Sequence, residues 1–305
     1  MIGRMNLLQP ALLSAFLSSC ASSTAQDSAT VASWSQFRGP GGLAVAEGQC
    51  VTADLSLERD VRWKTTVPAG SSSPCFTAER MFITGASGAQ LSVVALDRES
   101  GAILWQRDFE GEGERSFDHV DSSPAMPSPC TDGERIYAYF GAYGVVALDL
   151  DGEVVWERRL PRPEATFGVG ASPILAAGNL IVPRDGAKES AVLALDTATG
   201  EDVFRIERFG FIDSYATPFL WQNDERDELI ITGTKQLCAY DPSGGEPLWS
   251  TARLWSSPMR VRPSRMPSSK WLGRGNSELF SFTMLVSRVA SARKLPATSR
   301  PAKLP

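Results

Sequence analysis

The residues predict an all-β chain, a β-propeller of four-stranded antiparallel blades that is incomplete, with about four blades recognisable. Three observations predict it. A pattern of Ala-x-Asp, a turn glycine and an aromatic occurs four times, and its Asp residues stand 52, 47 and 45 apart, a period that belongs to repeat architectures. A Ser/Thr-Pro pair precedes each copy by about twenty residues, room for two short strands and a turn. Between pair and pattern lie short apolar runs without helical periodicity.

The pattern runs Asp97, Gly101, Trp105; Asp149, Gly152, Trp156; Asp196, Gly200, Phe204; and Asp241, Gly245, Trp249. In each copy an apolar strand ends in Ala-x-Asp, the chain turns on a Gly that can take φ > 0, and a second strand ends on the aromatic. The Asp side chain is placed to accept backbone N–H groups within the turn. The interval from Asp to aromatic is eight residues, except for seven after Asp149, so a deletion there shortens the turn and spares the strand. One large ring per unit offers a plate to lay against the neighbouring unit.

The first half of each unit starts at Ser73-Pro74, Ser128-Pro129, Ser172-Pro173 and Thr217-Pro218. Apolar runs follow, at 80–84, 135–140, 179–182 and 228–232. A unit of four short strands in about 45 residues is the propeller-blade signature.

The eleven-residue Ala-x-Asp-x-x-Ser/Thr-Gly-x-x-x-Trp pattern resembles the tryptophan-docking motif of the pyrroloquinoline-quinone-type repeat. That family includes quinoprotein dehydrogenases and cofactor-free propellers of the bacterial cell envelope, among them the lipoprotein propellers of the outer-membrane β-barrel assembly machinery. The resemblance covers residues 61–252 and extends to Trp34-Ser35-Gln36-Phe37-Arg38-Gly39-Pro40, which is similar to segments that precede the propeller in exported members. Fold analogy specifies architecture far better than function.

Four regions are expected: a signal at 1–25, an N-terminal arm at 26–60, the repeats at 61–252, and a basic tail at 253–305. Arg4, the apolar stretch Leu7 to Leu17 and the small residues after it make a secretory signal. Leu17-Ser18-Ser19-Cys20 resembles a lipobox that would lipidate Cys20; cleavage after Ala25 is the other reading, and Met5 is an alternative start. Arg38 is read either as an anion ligand or as part of an arm packed on the propeller. Val61 to Lys64 reads as an orphan outer strand that completes the last blade.

The tail breaks the pattern. Residues 253–305 hold 11 Lys/Arg against Glu278 alone, whereas residues 1–252 hold 19 basic and 34 acidic residues. It is open to three readings: a basic interaction arm, a solvated disordered extension, or sequence read out of frame that truncates the propeller. The last is preferred because the composition changes abruptly inside a repeat array.

Catalytic signals are few. His119, the only histidine, lies in an inter-blade loop with Asp118 and Ser122, where such clusters usually serve turns. Cys75 and Cys130 follow Ser-Pro at the same repeat position, and equivalent positions in neighbouring blades are too far apart for a disulfide, so buried free thiols are expected. A quinone-dependent alcohol or sugar dehydrogenase is implied only by the resemblance: it would need pyrroloquinoline quinone, calcium with oxygen ligands, an Asp base and, in alcohol-oxidising members, two adjacent cysteines. No adjacent cysteines occur and no ligand set matches.

The expected function is therefore a non-catalytic exported propeller that binds unidentified envelope proteins in the periplasm or at the membrane. No nucleic acid is expected, and no cofactor or metal outside the quinone alternative. Membrane contact is expected only through Cys20. Acidic inter-blade loops at 110–120 and 224–228 are the expected contact surfaces. The quinone dehydrogenase and a truncated remnant are the alternatives.

Overall fold

The computed structural model describes residues 33–46, 56–111, 123–141, 143–212, 214–234 and 236–251. The signal with Cys20, the cluster Asp118-His119-Ser122, Cys50 and the tail beyond 251 lie outside the described residues.

Among the described residues, sixteen strands form four sheets, each a four-stranded antiparallel meander. The first holds β1 (Cys75–Phe76), β2 (Arg80–Ser87), β3 (Gln90–Asp97) and β4 (Ile103–Glu110). The second holds β5 (Cys130–Thr131), β6 (Arg135–Phe140), β7 (Gly144–Asp149) and β8 (Val154–Arg159). The third holds β9 (Ile174–Ala176), β10 (Asn179–Arg184), β11 (Ala191–Asp196) and β12 (Asp202–Glu207). The fourth holds β13 (Phe219–Gln222), β14 (Asp227–Gly233), β15 (Gln236–Tyr240) and β16 (Pro247–Ser250). No α-helix occurs among the described residues.

The central strands of the second and third blades are apolar on both faces because a neighbouring blade covers each face, and in the first blade Trp34 and Trp63 cover the face that no blade covers. Val93, Val94 and Ala95 on β3, and Val145, Val146 and Ala147 on β7, are all fully buried. Alternate residues join different cores. Phe82, Val93 and Ala95 meet Ile136, Ala138 and Val146 between the first two blades. Tyr137, Val145 and Ala147 meet Leu180, Val182 and Leu193 between the next two. Ile181, Val192 and Ala194 meet Leu229, Ile231 and Cys238 in the third junction. The outer strand forms the rim and is largely exposed, including Ile103, Leu104, Val155 and Val203, while its aromatic and residues such as Phe109 and Ile206 turn inward.

The same irregularity recurs in every blade. The ladder between the third and fourth strands shifts register at Ala95/Leu96, Ala147/Leu148, Ala194/Leu195 and Ala239/Tyr240. A bulge strengthens the local twist and turns the following residues out of the ladder. It survives the shortened turn after Asp149, so the deletion is absorbed before the strand begins.

The N-terminal segment crosses the inner strands in order. Trp34 exchanges two backbone bonds with Phe76 on β1, at 2.8 and 2.9 Å. The Ser35 carbonyl accepts from Thr131 on β5 (2.7 Å), and Gln36 Oε1 accepts from Leu175 N on β9 (3.0 Å). A short 3-10 turn, Pro40–Gly42, then packs on β13 at Phe219 and Leu220. One strap thus holds the first strand of all four blades.

Val61 to Lys64 forms no strand ladder and does not complete the last blade, which already has four strands of its own. Trp63 instead covers the turn of the first blade, and with Trp34 it closes the outer face of that blade over Phe76, Met81, Ile83, Val94 and Leu96. The side-chain plate, rather than the backbone ladder, is what this segment supplies.

Candidate functional site

Two regions collect the residues singled out by the repeat: the turns that join neighbouring blades, and the mouth of the inner strands on the propeller axis.

At each turn the Asp carboxylate is the hub. Asp97 Oδ1 accepts from the backbone N–H and hydroxyl of Ser100 at 2.7 and 2.6 Å. Asp196 Oδ1 accepts from the amides of Ala198 and Thr199 at 2.9 and 2.8 Å. Asp149 Oδ1 takes the amides of Asp151 and Glu153, both at 2.9 Å, and Asp241 Oδ1 that of Ser243 at 2.7 Å. Bonds from Ser100 hold the Asp97 carboxyl below its usual range, and bonds from Thr199 and Ala198 do the same for Asp196.

The turn glycine and the tryptophan belong to different blades. Gly101, Gly152, Gly200 and Gly245 all have positive φ, and each lies against a ring from the unit before it: Trp63, Trp105, Trp156 and Phe204. A methyl group on Gly152 would come within 2.8 Å of the Trp105 ring, and one on Gly200 within 2.6 Å of Trp156. The indole N–H groups of Trp63, Trp105 and Trp156 donate to the carbonyls of Arg98, Leu150 and Thr197, at 3.1, 2.8 and 3.0 Å. Each acceptor is the residue after the turn Asp. Behind the rings, Phe82–Trp105 and Tyr137–Trp156 repeat one geometry, 6.1 Å at 39° and 6.0 Å at 40°. Trp249 differs: its N–H goes to Glu228 Oε2 of its own blade, at 2.6 Å.

The Ser/Thr-Pro pairs carry a bond that the sequence did not reveal. Ser73 N–H donates to Ser128 Oγ (2.8 Å), Ser128 N–H to Ser172 Oγ (2.9 Å), and Ser172 N–H to Thr217 Oγ1 (3.0 Å). Hydroxyls from successive blades are linked in a ladder round the axis. The only sequence signal for it was the recurrence of a hydroxyl residue before each proline.

A buried ion pair was also missed. Arg208 Nε and Nη2 grip Asp185 Oδ1 and Oδ2 at 2.9 and 3.0 Å, and the guanidinium lies 4.2 Å from the Phe211 ring. Both side chains are almost wholly buried, where the third blade meets Tyr240 of the fourth. Burial pushes the Asp185 carboxyl up, against the opposing pull of Arg208.

Beside the hydroxyl ladder lies a cavity of about 490 Å³, bordered by Phe37 and Arg38 of the strap and by Ser128, Ser172, Tyr215 and Thr217 of the blades. None of its lining residues is acidic. Calcium takes six to eight oxygen ligands, usually with carboxylates among them. No group of three or more His, Cys, Asp or Glu residues gathers among the described residues. Cys75 and Cys130 are free and buried in separate blades, and burial pushes both thiols up and makes them inert. The acidic loop at 224–228 is less open than its composition implies, because Glu228 is buried and bonded to Arg226 and Trp249.

A family model described as outer membrane protein assembly factor BamB matches residues 51–208, just over half of the chain. The chain belongs to this family. Its propeller fold is shared with quinohemoprotein alcohol dehydrogenase from Comamonas testosteroni, at 14% identity and a TM-score of 0.54, over 74% of this chain and 42% of that one. Two further similar structures are BamB from Moraxella catarrhalis (19% identity, 60% and 61% of the two chains, TM-score 0.38) and quinohemoprotein alcohol dehydrogenase ADHIIG from Pseudomonas putida HK5 (15%, 62% and 35%, TM-score 0.44). The chain spans less than two thirds of the length of each. A search of curated proteins finds no match. Like the family pattern, the four blades are all-β, and no helix among the described residues is long and apolar enough to cross a membrane.

Proposed function

We propose that the chain is a non-catalytic binding platform of the cell envelope, exported to the periplasm or anchored at the membrane, with envelope proteins as its partners. One observation carries the reading: the residues that recur in every blade hold blades to each other. Asp builds the turn, Gly and Trp dock across it, and Ser or Thr links the inner strands. An array of blades fixed to one another this way leaves its loops and rim for contact. The family description, an outer-membrane assembly factor, supports the same role.

The test is calorimetric titration of the purified chain with pyrroloquinoline quinone and calcium, beside a circular-dichroism melt. A cooperative melt without saturable binding is expected. Saturable, calcium-dependent binding would overturn the reading in favour of a dehydrogenase, and a chain without a cooperative melt would be a remnant.

A further inference from the structure

We propose that the cavity at the mouth of the inner strands is a binding site for a small oxyanion, a molecule presenting a carboxylate, sulfate or phosphate group. The proposal is independent of any protein-binding role.

It rests on where the polar hydrogens go. A serine or threonine hydroxyl has one proton to donate and lone pairs to accept. In Ser128, Ser172 and Thr217 the oxygen already accepts an amide from the preceding blade. The proton of each hydroxyl has no acceptor among the described residues. Ser128 and Ser172 are only 2% exposed, so the cavity they border is where that demand can be met. All three border the same cavity, and they come from three different blades. Three hydroxyl residues bordering a space without an acidic wall suit a ligand that accepts hydrogen bonds.

Arg38 brings the charge. It borders the cavity as an exposed residue, and among the described residues its guanidinium makes no hydrogen bond or ion pair, lying 5.5 Å from the neighbouring Phe37 ring. Two residues earlier the buried amide Nε2 of Gln36 also lacks an acceptor. Arg38 sits at φ 61, a left-handed conformation that costs a residue with a side chain about 1 kcal/mol or more. The residues on either side explain the turn, with Gly39 under the Trp34 ring and Gln36 on β9, but neither requires arginine at the strained position. Strain of this kind persists where a side chain is needed in one place. A charge-assisted bond from a guanidinium, joined by neutral hydroxyl donors, is the usual chemistry of oxyanion recognition. The volume suits a small molecule.

The test uses the whole chain. Melting is followed in sodium chloride and, at equal pH and ionic strength, in sodium phosphate, sulfate or citrate, with calorimetry on each anion. At least one oxyanion is expected to raise the melting temperature saturably beyond chloride. Arg38→Gly removes the cation while relieving the backbone, so it should melt no lower than wild type without oxyanion yet bind about tenfold or more weakly. Arg38→Lys should keep part of the affinity, and Arg38→Gln reports the same loss if the glycine variant does not fold. Absence of a saturable shift in every oxyanion, or a shift undiminished in Arg38→Gly and Arg38→Gln, overturns the proposal.

Discussion

The indole of Trp105 donates to the carbonyl oxygen of Leu150, 2.8 Å away, and its ring covers Gly152 in the same turn. This contact joins residues 45 apart in sequence and repeats at the next junction between Trp156, Thr197 and Gly200. At the third junction Phe204 covers Gly245 with no N–H to give.

That substitution yields the first prediction. Phe204→Trp would set an indole N–H toward the carbonyl of Pro242, the residue after the turn Asp. It should stabilise the chain by about 1 kcal/mol, the net worth of one hydrogen bond, read as a higher urea midpoint at unchanged slope.

Gly152→Ala should be costly for two separable reasons. Its φ of 90 strains any side chain, and its methyl would press on Trp105. Overpacking costs about 1–3 kcal/mol on top of about 1 kcal/mol or more for the backbone. Gly133→Ala, at φ 96 with open space around it, carries only the backbone cost. Urea unfolding of the two variants should therefore differ by the packing contribution.

Ser172→Ala should remove the acceptor of the buried Ser128 amide and destabilise the chain by about 1–3 kcal/mol, whereas Ser172→Thr keeps the oxygen. Hydrogen exchange at the Ser128 amide should accelerate in the alanine variant and stay slow in the threonine variant.

The pair Arg208–Asp185 predicts non-additivity. Asp185→Leu leaves a buried guanidinium unpaired and should cost about 3–5 kcal/mol, while adding Arg208→Met to it should recover much of the loss. Thermal melts of the two singles and the double close the cycle.

Acid should weaken the turns. The carboxyls of Asp97 and Asp196 titrate lower in the folded chain than in the unfolded one. Their contribution is complete above the unfolded pKa and disappears as pH falls through the folded values. The double variant Asp97→Asn, Asp196→Asn should show a flatter decline of melting temperature below about pH 4 than wild type does.

Strand order and blade number were legible in the sequence because the signal is local and repeated. An apolar run, a turn glycine and a ring at fixed intervals lie within some thirty residues, and four copies in register exclude chance. The misreading of Val61 to Lys64 has the same origin. Its residues look like an outer strand, but pairing depends on which edge is free, and β16 already fills the fourth position of the last blade. The shared use of Gly and Trp by adjacent blades was half visible: the motif showed both residues without showing that they meet across blades rather than within one.

By itself the sequence determined the all-β repeat, the turn chemistry of Asp97, Asp149, Asp196 and Asp241, and the family. Only the tertiary structure decided that Ser128, Ser172 and Thr217 form a ladder, that Arg208 finds Asp185, and that Trp34 to Gly42 straps the inner strands. The physical reason is range. Turn geometry is set by bonds between residues a few positions apart, whereas a hydroxyl or a guanidinium acquires its role from partners that folding brings from another blade.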